Sequence, residues 1–155
     1  MKTFFTTLTV ALAGALMNVV AQTSTKDTDN ADRKKAAEAA VVAFAKAGDE
    51  RDIPTLTKYM HENYNAIALL PGTTVAKPVV ESREHYFTLI KEGKVGGKPR
   101  TISIKSVEVW NNTAIVRAEL ESDVLHFYST FALSYSPEAG WKLVYDLVEL
   151  KAKGK

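Results

Sequence analysis

Cysteine is absent from all 155 residues, which excludes a disulfide framework, thiolate metal ligation and thiol nucleophiles together. Stability therefore has to come from packing. A dominant charge is lacking as well: 20 Lys and Arg stand against 18 Asp and Glu, a formal +2. That is too little for a surface that gathers phosphate backbones, so nucleic acid is not an expected partner. Histidine is scarce, and His61, His85 and His126 are too scattered for metal-ligand spacing. Asp27, Asp29 and Asp32 lack the glycine turn and closing glutamate of a calcium loop. No metal and no cofactor are expected. No nucleotide loop is present either: Lys94 to Arg100, KVGGKPR, is basic and glycine-rich but lacks Gly-x-x-x-x-Gly-Lys-Ser/Thr, and reads as a linker between helix and sheet.

Long apolar runs are confined to the first stretch, MKTFFTTLTVALAGALMNVVAQ. Lys2, an uncharged run from Phe4 to Val20 and the small Ala21 give the layout of a secretory signal peptide cleaved after residue 21. The run is short for a membrane span, and polar sequence follows it directly. The expectation is an exported protein, periplasmic or secreted, with no membrane attachment after cleavage. Residues 22–33 read as a polar leader, residues 34–150 as one domain and residues 151–155 as a basic tail.

Asn30 or Asp32 is placed to cap a helix in which Ala36, Ala40, Val41, Phe44 and Ala45 recur at three- and four-residue spacing up to Gly48. A short second helix follows, with Ile53, Leu56, Tyr59 and Met60 apolar and Pro54 in its first turn. Ala66 to Leu70 reads as a strand stopped by Pro71-Gly72, and Thr73 to Val80 as an edge strand that tolerates Pro78. Ser82 caps a third helix carrying Tyr86, Phe87, Leu89 and Ile90. From Thr101 the chain is strand-like, with a bulge at Lys105-Ser106, a turn at Asn111-Asn112, and Ala114, Val116, Ala118 and Leu120 on one face of the next strand. His126 to Leu150 reads as an antiparallel hairpin, HFYSTFALSY and WKLVYDLVEL joined by SPEAG. In its second arm regular alternation separates Trp141, Leu143, Tyr145 and Leu147 from Lys142, Val144, Asp146 and Val148.

Three segments in this order carry a resemblance: LTKYMHENYNA, SREHYFTLI and the closing GWKLVYDLVE. Over residues 34–150 the chain resembles the nuclear transport factor 2-like superfamily, in particular its SnoaL-like and lumazine-binding branches. The resemblance implies an α+β, cone-shaped cystatin-like fold, with a curved antiparallel sheet packed against three N-terminal helices. It implies a pocket that serves as active site, ligand cavity or plugged core, and a homodimer through the convex sheet face. His61 matches the histidine after the family's second helix, although Glu62-Asn63-Tyr64 replaces the usual Pro-Asp. Asp146 falls where members place a polar group at the cavity mouth.

The catalytic candidates are Asp146 or His61 as base, with Tyr128 or Tyr145 donating to a developing oxyanion. The ligand-binding candidates are Trp110, Arg117, Tyr128 and Asp146, with Arg117 orienting an anionic group. Tyr145 and Asp146 point to opposite faces of a regular strand and can serve one site only if a bulge intervenes. Plainer roles stand beside these: His61 at a helix end, Asp146 hydrogen-bonding at the core edge, Arg117 in ion pairs with Glu119 and Glu121, Trp110 in a core or dimer contact. Three functions stay open. The first is an exported, dimeric domain that binds a small apolar or heterocyclic molecule. The second is a metal-independent acid/base enzyme of isomerase, cyclase or dehydratase type. The third is a structural or protein-interaction module with a plugged cavity.

Overall fold

The structure is a computed structural model that describes residues 13–70 and 78–154, with side chains from residue 29 onward. The chain divides into two compact units, Met1–Arg33 and Lys34–Lys155. The described part of the first is helical throughout. The second carries the sheet and the core.

Three helices are present among the described residues: α1 (Ala13–Glu50), α2 (Ile53–Tyr59) and α3 (Arg83–Lys91). Helix α1 passes through Asn30 and Asp32, so neither acts as its cap. Within the second unit it buries Ala37, Ala40, Val41, Phe44 and Ala45; Ala37 holds the buried place expected of Ala36, which is exposed. Helix α2 starts where the Asp52 carboxylate accepts the Thr55 N–H at 3.1 Å. Pro54 lies in that first turn, where a missing N–H breaks no helical bond. Ser82 caps α3, its Oγ accepting the His85 N–H at 3.2 Å.

Six strands, β1 (Met60–Leu69), β2 (Val79–Ser82), β3 (Thr101–Trp110), β4 (Thr113–Glu121), β5 (Leu125–Ser136) and β6 (Gly140–Ala152), form one sheet in the order β2-β1-β6-β5-β4-β3. Of the edge strand expected over Thr73 to Val80, Val79 and Val80 lie in β2; Pro71, Gly72 and residues 73–77 lie outside the described residues. The expected cone of a curved antiparallel sheet against three N-terminal helices needs correction on two counts. The sheet is mixed, because β1 runs parallel to β6 with Ala66 opposite Asp146 and Ile67 opposite Leu147. It is also open, with β2 and β3 as its edges, and α3 enters between those two strands rather than at the N-terminus. Antiparallel neighbours announce themselves through short turns, whereas parallel neighbours are joined by long crossovers that leave no local signal.

Bulges in β3 and β6 set which side chains face the helices, and the β1–β6 register also shifts between Met60 and Asn65. Lys105 is the extra residue in β3, as its broken alternation predicts. In β6, Ala132 pairs with Tyr145 while the next residue of β5, Leu133, pairs with Leu143, so Val144 is extra. Parity therefore changes midway: Trp141 and Leu143 are buried before the bulge, Asp146 and Val148 after it. The core closes around Phe131, Leu56, Met60, Leu143, Val41 and Val116, all fully buried. Removing each such larger side chain from water contributes about 1.5–3 kcal/mol.

Candidate functional site

Asp146 is the buried acid of the domain, 8% exposed, on the helix-facing side of β6 between Phe131 of β5 and Ala66 of β1. It lines a cavity of about 490 Å³ that Ser129, Tyr64, Tyr86, Phe44, Phe127 and Arg100 also line. The Ser129 side chain favours the ionised carboxylate. Oδ1 is sealed from bulk water and has no hydrogen-bond partner among the described residues. Burial opposes the charge and outweighs both Ser129 and the positive Arg100, so the group titrates at about 7 instead of the ordinary 3.8.

Two phenols share this interior. Tyr64, on β1, is 3% exposed; burial first, then the charges of Asp146 and Tyr86, push its hydroxyl well above 10.0. Tyr86, on α3, is pushed up to about 12, mainly by burial and against the pull of Arg100. Both therefore stay protonated at neutral pH and can donate. Phe44 of α1 positions the rings, its centroid 5.9 Å from Tyr64, 6.3 Å from Tyr86 and 5.9 Å from Phe131. Gly48 leaves room for the second phenol: a Cβ there would stand 2.9 Å from the Tyr86 hydroxyl.

Arg100 supplies the positive charge. Its Nε donates to Asp49 Oδ1 at 2.6 Å and its backbone N–H to Oδ2 at 3.0 Å. The guanidinium lies 5.0 Å over the Phe127 ring. The loop leading to it is tied down by Arg51, whose own backbone is left-handed at φ 58°. Arg51 donates to the carbonyls of Gly93, Val95 and Gly96 at 2.9, 3.1 and 3.1 Å. The arrangement is a chamber with an aromatic cluster, a buried acid near neutrality, two phenolic donors and the Asp49–Arg100 pair, and Glu81, Lys94, Lys98 and Asp123 also stand on its lining.

Of the catalytic and ligand-binding candidates read from the sequence, only Asp146 lines this chamber, together with Phe127 and Phe131, two of the aromatics expected to line a pocket. His61 lies elsewhere, lining a separate hollow with Arg83 and Lys142, its Nδ1 accepting the Asn63 N–H at 3.1 Å. Tyr128 is 40% exposed on the opposite face of the sheet, with the Lys151 ammonium 5.0 Å over its ring. Arg117 is exposed on that same outer face, opposite Thr130. Trp110 is 55% exposed at the end of β3. Tyr145 points away from Asp146, as the strand's alternation requires. The residues that sequence reasoning passed over are Ser129, Tyr64, Tyr86 and the Asp49–Arg100 pair. Ser129 alone carried a signal: a polar side chain at the parity of Phe127 and Phe131. Among the described residues no group of three His, Asp or Glu side chains is placed to hold a metal ion.

The model of the family described as "Putative lumazine-binding" matches residues 32–147. No curated protein matches the chain. Among solved structures it is similar to a nuclear-transport-factor-2-like protein of unknown function from Silicibacter pomeroyi, at 16% identity over 77% of this chain and 97% of that one, with a TM-score of 0.65. A cystatin-like fold protein from Burkholderia xenovorans is 22% identical over 79% of this chain and 95% of its own, with a TM-score of 0.61. A ketosteroid isomerase-like protein from Erwinia carotovora atroseptica is 18% identical over 76% and 95%, with a TM-score of 0.59. At these identities the likeness to solved structures is one of fold alone.

Proposed function

The chain belongs to the "Putative lumazine-binding" family, and from that premise we propose that its domain binds a small apolar or heterocyclic molecule in the chamber above Asp146. The carrying observation is a cavity of about 490 Å³ with an aromatic cluster and one buried carboxyl whose Oδ1 lacks a partner among the described residues. Ligand sites combine this volume range with a largely apolar lining and few polar anchors. A ring N–H would satisfy Oδ1 when Asp146 is ionised, and a ring carbonyl would accept its proton when it is neutral. Native mass spectrometry of the purified protein, followed by thermal-shift titration with a panel of fused-ring heterocycles, tests this. Expected are a retained or captured molecule and saturable stabilisation that Asp146→Ala weakens. No retained molecule and no shift across the panel would overturn the reading.

A second reading is supported by the titration of Asp146 at about 7 beside Tyr64 and Tyr86. A carboxyl tuned near the working pH can take and return a proton while phenols steady the oxygen that gains charge, the chemistry of an isomerase, cyclase or dehydratase. One structural neighbour is titled ketosteroid isomerase-like. Under this reading a captured ligand would be turned over, and Asp146→Asn would bind it without turnover.

Export and pairing complete the proposal. The basic start and uncharged run of residues 1–21 support export with cleavage after Ala21, checked by the N-terminal mass of protein recovered outside the cytoplasm. The outer sheet face supports a homodimer: Leu147 and Tyr128 are 42% and 40% exposed on it.

A further inference from the structure

A second hollow, of about 400 Å³, opens where α3 begins, and none of its lining residues also lines the Asp146 chamber. Its charged lining is Arg83 and Lys142 against Glu62 alone, with the His61 imidazole beside them. Arg83 is the first residue of α3, where the helix dipole already favours negative charge. The fold finds partners for Arg51 and Arg100, yet Arg83 has neither an ion pair nor a hydrogen bond among the described residues. Its Nε is closed off from water without an acceptor. The guanidinium rests 5.2 Å over the Phe87 ring. A half-buried fork of donors without a counter-charge is a poor structural device, because desolvated donors cost free energy until something accepts from them.

The neighbouring groups are set to act with it. His61 Nδ1 accepts the Asn63 N–H at 3.1 Å, so the neutral ring carries its proton on Nε2. Lys142 is steadied by donating to the Lys58 carbonyl at 2.9 Å and keeps two further protons. Ser136 Oγ accepts the Ala139 N–H at 3.1 Å, which leaves its hydroxyl proton to give. A planar fork, an ammonium, an imidazole N–H and a hydroxyl around one hollow outnumber what a carboxylate accepts and match a tetrahedral oxyanion. We propose that the hollow of Arg83, Lys142 and His61 is a second binding site, for a phosphate group carried by a small molecule.

The test is titration of the full chain with inorganic phosphate at fixed ionic strength, followed by calorimetry and by the NMR signal of the Arg83 Nε–H. Saturable binding, tighter than that of acetate and absent with chloride, is expected. R83Q should weaken it by about tenfold or more, as for loss of a charged bidentate donor, and K142Q by a smaller factor. K105Q, which removes one positive charge from a distant surface ion pair, should leave it unchanged. Arg83 also packs on Phe87, so if R83Q does not fold, R83K and K142Q decide in its place. No saturation, an equal response to chloride, or unchanged binding in those variants overturns the proposal.

Discussion

Asp146 is kept where its charge is disfavoured, and that has a measurable signature. Its titration lies near 7 in the folded protein and near 3.8 when the chain is open. The folded state therefore holds the extra proton between those values, and stability falls as pH rises from about 4 to about 7, levelling above that. Asp146→Asn should flatten this slope and raise stability at pH 8 by an amount on the order of 1–3 kcal/mol, read from urea unfolding across pH. Ser129 acts the other way, since its hydroxyl favours the ionised form. Ser129→Ala should move the Asp146 titration above 7, followed by the carboxyl carbon resonance; a downward movement would contradict that role. The acid itself was legible in the sequence, but its surroundings were not. Regular alternation grouped Asp146 with Lys142 and Val144, and only the extra residue at Val144 brings it round to the side of Leu143. Tyr86 read as ordinary apolar periodicity and Tyr64 as part of the stretch before the strand expected at Ala66, because nothing in a one-dimensional pattern reveals that Phe44 brings their rings together.

The α3 cap and the local turns were legible because each is made by neighbours in sequence, Ser82 before α3, Pro54 within α2 and Asn111 at φ 47° in the β3–β4 turn, whereas the cap expected at Asn30 or Asp32 lies inside α1. The segment after α3 shows the opposite case. Its glycines suggest only a linker, yet Arg51 gathers three of its carbonyls and Gly97 donates its N–H to the Asp49 carbonyl at 2.8 Å. Gly96, at φ 69°, passes so close to α1 that a Cβ would meet the Gly48 carbonyl oxygen at 2.2 Å. Gly140, at φ 70°, has nothing within 4 Å of the same position. Both glycines avoid left-handed strain, so comparing them isolates the contact with α1. Gly140→Ala is expected to cost about 1 kcal/mol and Gly96→Ala a further 1–3 kcal/mol in urea unfolding. Equal costs would mean that the segment shifts away freely. A shifted segment would also carry Arg100 off the Phe127 ring, so Gly96→Ala should weaken ligand capture as well.

At the scale of the whole molecule, the proposed pairing makes the outer sheet face an interface. Light scattering at micromolar concentration should give twice the mass of the chain, and Leu147→Asp should return it to a monomer, since a carboxylate facing its symmetry mate in an apolar contact is costly. A monomeric parent protein would remove the dimer. The β1–β6 contact was the part of the architecture that the sequence hid most completely, and it bears on how the protein is made. Strand β6 is the last of the six in chain order and so is synthesised after the other five, yet it takes a central place in the sheet between β1 and β5. Until it arrives, the strands already synthesised form two separate pieces, β2-β1 and β5-β4-β3, with no floor between them. The wall that carries Asp146 thus exists only once β6 is in place, so ligand capture in this chamber reports that the two halves of the sheet have been joined.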